Sequence, residues 1–295
     1  MSARGWLETY RGTVYRWEVD GNDHLTVAYY LSRFGDAAQA LLDELGLGAA
    51  YAGHSQKGCV TSDCYIRYLR ELRVGDLMHI ESGVIEVEPS ALVFGHKLFD
   101  SADGALCTTV EHRLRHVDLQ AGAVTALAPA QQEGATFRRI AWDAPPRETR
   151  PRPATLAGFA QTARGEFSAS EWDALGQVPL SAYIHVFSAA NGHALAGFGM
   201  TPEYMRRMER GFSTFEFQLV LEHKIAPGDH VLVRSALVHL GKSSMRVLHL
   251  MSEARTERTV ATLEQFGVHF DQRARRPAPL PDDLRAAAEA ARVRV

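Results

Sequence analysis

The chain has 295 residues, 46% hydrophobic and 23% charged, a composition of folded globular proteins that allows one large domain or two of ordinary size. Its net charge of −3 excludes the basic stripe of a general nucleic-acid binder. No run approaches 18 apolar residues, which excludes a membrane-spanning helix. Three cysteines (Cys59, Cys64, Cys107) without a CxxC pair supply neither a disulfide framework nor a structural zinc site.

In chain order, the start MSARGWLETYRG lacks the apolar core of a secretory signal, so a reduced, cytoplasmic setting is expected. The stretch VDGNDHLTVAYY then places Asp20, Asn22, Asp23 and His24 directly ahead of an apolar run. Such residues cap helices and set turns, yet a carboxylate beside an imidazole at a helix start also suits water activation. Over residues 25–46, Leu31, Phe34, Ala38, Leu41, Leu42 and Leu45 recur at helical spacing, which predicts one buried helix face ending at Gly46. Strand-like segments rich in β-branched residues follow at 59–72, 76–89, 91–100 and 105–118, punctuated by turn residues. A stretch rich in Ala, Pro and Arg reads as a linker, because Pro145, Pro146, Pro151 and Pro153 continue neither a helix nor a central strand. A second helix is predicted over 179–199, with Pro179 at its first turn, weakened by Gly192 and Gly197 and stopped by Gly199. Strands are expected again at 214–225, 229–240, 244–254 and 259–271. In the tail, Asp282 or Asp283 is expected to cap a short helix.

The two halves are copies. Shifting the sequence by 153 positions aligns Arg11–Asp118 with Arg164–Asp271 without a gap, at 21 identities in 108 positions. Asp20 falls on Asp173, Thr61 on Thr214, His96 on His249, Glu111 on Glu264 and His116 on His269. The expected organisation is a first unit at 1–120, a linker at 121–158, a second unit at 159–274 and a tail with a short helix at 275–295. Within each unit, one long helix laid on an antiparallel sheet buries the apolar faces of both.

One helix followed by antiparallel strands, with an Asp-containing turn before the helix, resembles the hotdog fold. The chain is similar in particular to the 4-hydroxybenzoyl-CoA thioesterase-like acyl-CoA thioesterases, whose entry motif has the form D-x-x-G-[HI]-[VM]. Here Asp20-Gly21-Asn22-Asp23-His24-Leu25 matches that motif, with Tyr29 and Tyr30 as the following aromatics. Asp23 stands where glycine is expected, and Thr26 where asparagine is common. The second unit reads Asp173-Ala174-Leu175-Gly176-Gln177-Val178 and keeps the Asp and the Gly without the Asn and His. The resemblance covers residues 8–118 and 160–271. It implies an α+β fold, a double hotdog with its sheets joined side by side. It also implies an acyl-CoA thioesterase that yields free acid and CoA, with the site at the junction of the units.

On that resemblance Asp20 is the general base or nucleophile, Asn22 orients water or substrate, and His24 contacts the thioester or tunes Asp20. Asp173 is the weaker counterpart. Thr61, Thr214, Tyr29 and Tyr30 are expected to line the substrate. Each has a plainer reading: Asp20 as a turn residue, His24 and Asp23 as caps, the threonines as strand filler. His96/His249 and His116/His269 occur singly in strand-like stretches without zinc-ligand spacing and read as structural. Arg67, Arg70, Arg73, Arg255 and Arg258 have the chemistry for CoA phosphates but read as surface charge without a phosphate loop. No metal and no cofactor is expected; the partners are acyl-CoA alone, neither nucleic acid nor membrane, with homo-oligomers of the chain allowed. The rivals are a hotdog enoyl-CoA hydratase, for which His24 falls one residue early, and a non-catalytic acyl-thioester-binding protein.

Overall fold

A computed structural model describes residues 5–173 and 175–295; Ala174 of the second motif lies outside the described residues. The first half runs β1 (Leu7–Thr13), a 3-10 turn (Arg16–Glu18), α1 (Val27–Glu44), α2 (Ala49–Ser55), β2 (Lys57–Tyr68), β3 (Leu77–Glu88), β4 (Ala91–Asp100), β5 (Leu106–Asp118) and α3 (Pro129–Phe137). The second runs β6 (Ala160–Glu166), a 3-10 turn (Ala169–Glu171), α4 (Leu180–Ala196), α5 (Pro202–Met208), β7 (Arg210–Leu221), β8 (His230–Leu240), β9 (Ser244–Glu253), β10 (Thr259–Asp271), β11 (Arg276–Pro277) and α6 (Asp282–Ala291). Strand order is β1-β3-β4-β5-β2 in the first half and β6-β8-β9-β10-β7 in the second, every pair antiparallel.

Each helix and strand of the first half begins 153 residues before its counterpart. The register includes two elements beyond the sequence match: α3 begins at Pro129 and α6 at Asp282. Residues 121–158, read from sequence as a linker, therefore hold a helix, with Leu127 and Ala135 buried in the core beside α1. Leu280 and Ala288 do the same for the second half. Asp282 and Asp283 occupy the first turn of α6 rather than its cap, where their charges complement the helix dipole. The chain divides into two compact units, Met1–Pro146 with Ala169–Ala182, and Arg147–Ser168 with Tyr183–Val295.

The helix stops follow the predicted chemistry. Gly46 adopts φ +67° while the Leu47 N–H donates to the Leu42 carbonyl at 2.8 Å. Gly199 adopts φ +102°, and Met200 donates to Leu195 at 3.1 Å. Both close a terminal turn that an L-residue closes only under strain. Upstream, Phe34, Leu41 and Leu42 of α1 are fully buried; Leu41 and Leu42 pack with Val84, Leu92, Phe94 and Leu114 of the sheet, and Phe34 lies 5.8 Å from the His96 ring, centroid to centroid. Each such side chain contributes about 1.5–3 kcal/mol.

The opposite sheet face of each unit carries a strap of irregular chain. In the first unit Gly83 and Gly95 pair across β3 and β4, and Ile140 and Trp142 lie over them. A Cβ on Gly95 would stand 2.7 Å from the Trp142 ring, so the paired glycines form the bed for this strap. The Trp142 indole donates to Glu111 at 3.1 Å, and Lys97 pairs with Asp143 at 2.7 Å. In the second unit Arg150 and Arg152 reach Glu264, the counterpart of Glu111.

Candidate active site

The motif before α1 is a closed turn built on Asp20. Its Oδ1 accepts the N–H groups of Asn22 at 2.8 Å and His24 at 3.2 Å, and its own N–H donates to the His24 carbonyl at 2.9 Å. Among the described residues nothing bonds its Oδ2, and the side chain is exposed. Asp23 takes φ +60°, and its N–H donates to the Asp20 carbonyl at 3.0 Å. Gly176, at the same place in the second turn, has φ +63°. Asp23 thus performs the glycine's backbone role, which aspartate tolerates better than most side chains. It is not a helix cap; Thr26 holds that position.

The turn is anchored from both ends. Upstream, the buried Glu18 carboxylate pairs with Arg33 of α1 and accepts the Tyr15 N–H at 3.0 Å. The Arg33 guanidinium lies over the Tyr10 ring, 5.5 Å from its centroid. Downstream, the Leu25 N–H donates to the Leu72 carbonyl at 2.8 Å, bringing the loop after β2 against the motif. That contact delivers a residue the sequence reading missed. Glu71 Oε2 lies 2.7 Å from His24 Nε2, a carboxylate–imidazole pair two-thirds or more shielded from solvent. Asp20, Asn22, His24 and Glu71 therefore share one loop cluster at the start of α1. Thr26 makes no side-chain cap bond; the Tyr29 N–H donates to the Thr26 carbonyl at 2.9 Å, which leaves Val27 and Ala28 as the residues whose N–H groups would meet an incoming oxygen.

The second turn repeats the scaffold without the chemistry. Asp173 Oδ1 accepts the N–H groups of Leu175 and Gln177, both at 2.8 Å. Gln177 replaces His24 and Lys224 replaces Glu71, so the imidazole–carboxylate pair has no equivalent there.

The other expected site residues lie deeper. Tyr29 is half-buried on the first turn of α1, while Tyr30 is 3% exposed and meets the Tyr68 ring edge-on at 5.0 Å. Thr61 and Thr214 end two buried polar chains of related composition. In the first unit Thr9 bonds Ser82 at 2.6 Å, Ser82 bonds His96 Nδ1 at 2.6 Å, His96 neighbours His112 at 5.8 Å between ring centroids, and His112 Nε2 bonds Thr61 at 2.8 Å. In the second unit Thr162, Ser235 and His249 repeat the pattern at the same 2.6 Å spacings, and Gln265 takes the place of His112, donating to Thr214 at 2.7 Å. His116 and His269 also have matching jobs, each joining the short second helix to the chain beyond the sheet: Tyr51 and the Thr125 carbonyl in one unit, Tyr204 and the Ala278 carbonyl in the other.

Burial depresses the basicity of His96, His112 and His249. His112 is pushed down to about 4 and His249 to about 3 by desolvation, the latter partly offset by Gln265. His96 falls well below its ordinary value through burial and then through the facing His112. The unfolded chain takes up protons near pH 6.5 that the folded chain refuses. The stability these groups contribute is therefore complete above that pH and is lost as pH falls, towards about 4 for His112 and about 3 for His249. For His112 alone the gap corresponds to roughly 3 kcal/mol. His112→Gln, which copies the second unit, is expected to leave stability at pH 7 nearly unchanged and to move the acid-unfolding midpoint downward. Urea titrations followed by circular dichroism check this: a midpoint at pH 4 no higher than that of wild type would contradict it.

Among the described residues no group of three or more His, Cys, Asp and Glu side chains is placed to hold a metal ion, and no helix is long and apolar enough to cross a membrane.

Two helix-on-sheet units, each opened by an aspartate-pinned turn at the helix start, define a double hotdog. The chain belongs to the thioesterase-like superfamily, whose domain matches residues 14–135 and again 167–288. A solved acyl-ACP thioesterase from Bacteroides thetaiotaomicron has the same fold, with a TM-score of 0.69 at 15% identity, covering 89% of this chain and 98% of that one. The L-carnitine dehydrogenase/betainyl-CoA thioesterase of Agrobacterium fabrum (strain C58) is 38% identical over 114 residues, 38% of this chain and 23% of that much longer protein. The betainyl-CoA thioesterase of Pseudomonas aeruginosa is 29% identical over 113 residues, 38% of this chain and 71% of that one. This chain thus spans under a quarter of the length of the first relative.

Proposed function

We propose that the chain hydrolyses an acyl-CoA thioester to free acid and CoA, using the Asp20 turn of the first unit. The observation that carries this reading is the division of labour at Asp20: one carboxylate oxygen holds the turn, and the other faces solvent beside the His24–Glu71 pair. Oδ2 takes the proton from a water as that water attacks the thioester carbonyl. The developing oxyanion is met by N–H groups at the start of α1. Collapse expels the CoA sulfur, which takes the proton held on Asp20 Oδ2 and leaves as the thiol, so that the carboxylate is restored. Asp173 has the same turn but lacks both partners, which supports the first unit as the active one.

The similarity to two betainyl-CoA thioesterases makes a trimethylammonio-acetyl group the first acyl chain to try. Cys59, Cys64 and Cys107 are buried free thiols, with burial pushing Cys59 up to about 12 and Cys107 up to about 11. Unbridged, unreactive cysteines support a reducing, cytoplasmic location. The test is thiol release from betainyl-CoA, from its uncharged isostere 3,3-dimethylbutanoyl-CoA, and from short, long and aromatic acyl-CoAs. Turnover of betainyl-CoA well above its isostere is the expected result. Failure of every thioester to release thiol would reject the hydrolase reading and leave a binding role.

A further inference from the structure

The 3-10 turn that ends two residues ahead of Asp20 presents an aromatic surface that the fold does not use. Tyr15 and Trp17 stack face to face, 4.6 Å between ring centroids and 5° from parallel, at 45% and 70% exposure. The backbone beneath them is fixed, since the Tyr15 N–H is held by the buried Glu18 and the Glu18 N–H donates back to the Tyr15 carbonyl at 3.0 Å. Stacked rings on an anchored turn form a flat platform that loses little entropy when a planar ligand settles on it.

Positive charge accompanies the platform. Arg16, between the two aromatics, reaches Asp23 Oδ1 at 3.3 Å, and Arg73 reaches Asp23 Oδ2 at 3.0 Å. Two guanidinium groups, with side chains 78% and 51% exposed, thus flank one carboxylate, an excess of one positive charge among these three groups. The Asp23 that supplies the left-handed turn residue of the motif also holds both arginines in place. None of this recurs in the second unit, where Ser168, Ala169 and Ser170 replace Tyr15, Arg16 and Trp17, and Ala226 replaces Arg73.

We propose that Tyr15, Trp17, Arg16 and Arg73 form a subsite for the adenine nucleotide of CoA, with the purine stacked on Trp17 and phosphates on the two guanidinium groups. The charge sign decides the ligand class. An open aromatic face also attracts quaternary ammonium groups, but these require an enclosing cage without adjacent cations, and here two arginines flank the carboxylate. A purine bearing phosphates satisfies both halves of the surface. The inference rests on the thioesterase reading for its choice of CoA, but its test does not depend on turnover.

The experiment is calorimetric titration of the full chain with CoA, with 3′,5′-ADP and with pantetheine, for wild type, Trp17→Ala and Arg73→Gln. Both variants are expected to bind CoA and 3′,5′-ADP about tenfold more weakly, while pantetheine, which lacks the nucleotide, binds as to wild type. Glycine betaine is expected not to compete with 3′,5′-ADP. Equal CoA affinity across the three proteins overturns the subsite, as does a wild type that binds neither nucleotide. If Trp17→Ala instead changes the sedimentation coefficient and leaves nucleotide affinity untouched, the aromatic pair is a protein contact and the proposal is wrong. A wild type that binds CoA through Trp17 but hydrolyses no thioester would reject the proposed function and keep the subsite.

Discussion

Asp20→Asn is expected to cut thioester turnover by about 10²–10⁴-fold while the protein stays folded. The amide keeps an oxygen at the Oδ1 position, so the Asn22 and His24 N–H groups retain their acceptor and the turn survives. What it loses is the capacity of the outer oxygen to take a proton. Asp20→Ala would confuse the two roles, because removing the acceptor also leaves two backbone donors without their bond, at about 1 kcal/mol each. Asp173→Asn is the internal control. It makes the same change on the same turn, but with Gln177 and Lys224 in place of His24 and Glu71, and activity is expected to stay within twofold of wild type. Steady-state kinetics beside a thermal melt decides the matter. Equal losses in the two variants would mean that both turns matter only as scaffold, or that both are active.

The duplication made most of this architecture readable. A single offset of 153 residues placed two helices and two sets of four strands, and the structure keeps that offset where the sequences no longer match. Over 119–138 and 272–291 only Ala121/Ala274, Leu127/Leu280 and Ala135/Ala288 coincide. Alanine and proline richness there reads as linker because composition does not report that one leucine and one alanine are buried. The His24–Glu71 pair was illegible for another reason. Its members are 47 positions apart, and only the backbone bond from Leu25 to Leu72 brings the second loop in. A sequence signal existed, since His24 and Glu71 change together to Gln177 and Lys224, though a single pair of copies gives such a coincidence little weight. Asp23 shows the opposite case. Its side chain points to an altered turn, yet its backbone angle matches that of Gly176 because aspartate enters the left-handed region at modest cost.

Glu264→Ala is expected to destabilise the second unit by about 3–5 kcal/mol, a larger cost than any surface ion pair carries. Arg246 and Glu264 have side chains 5% and 7% exposed and meet at 3.2 Å, and Arg246 also donates to the Pro151 carbonyl at 3.1 Å. Arg152 adds a bond to the other Glu264 oxygen at 3.1 Å, and Arg150 bridges Glu264 and Glu216 over the Phe266 ring. Deleting the carboxylate leaves Arg246 as a buried charge without its main counter-ion and releases the proline-rich strap that starts the second unit. Most of the cost is thus a desolvated guanidinium rather than a lost attraction. It follows that the double variant Glu264→Leu/Arg246→Met, which removes both charges and keeps their volume, should recover most of the lost stability. Glu111→Ala provides the comparison, because the equivalent carboxylate receives a neutral indole donor from Trp142 and its loss is expected to cost less. Urea unfolding of the four proteins measures these differences directly. A Glu264→Ala midpoint close to wild type, or a double variant no better than the single, would show that the cluster is solvated and that the strap is held by its apolar contacts alone.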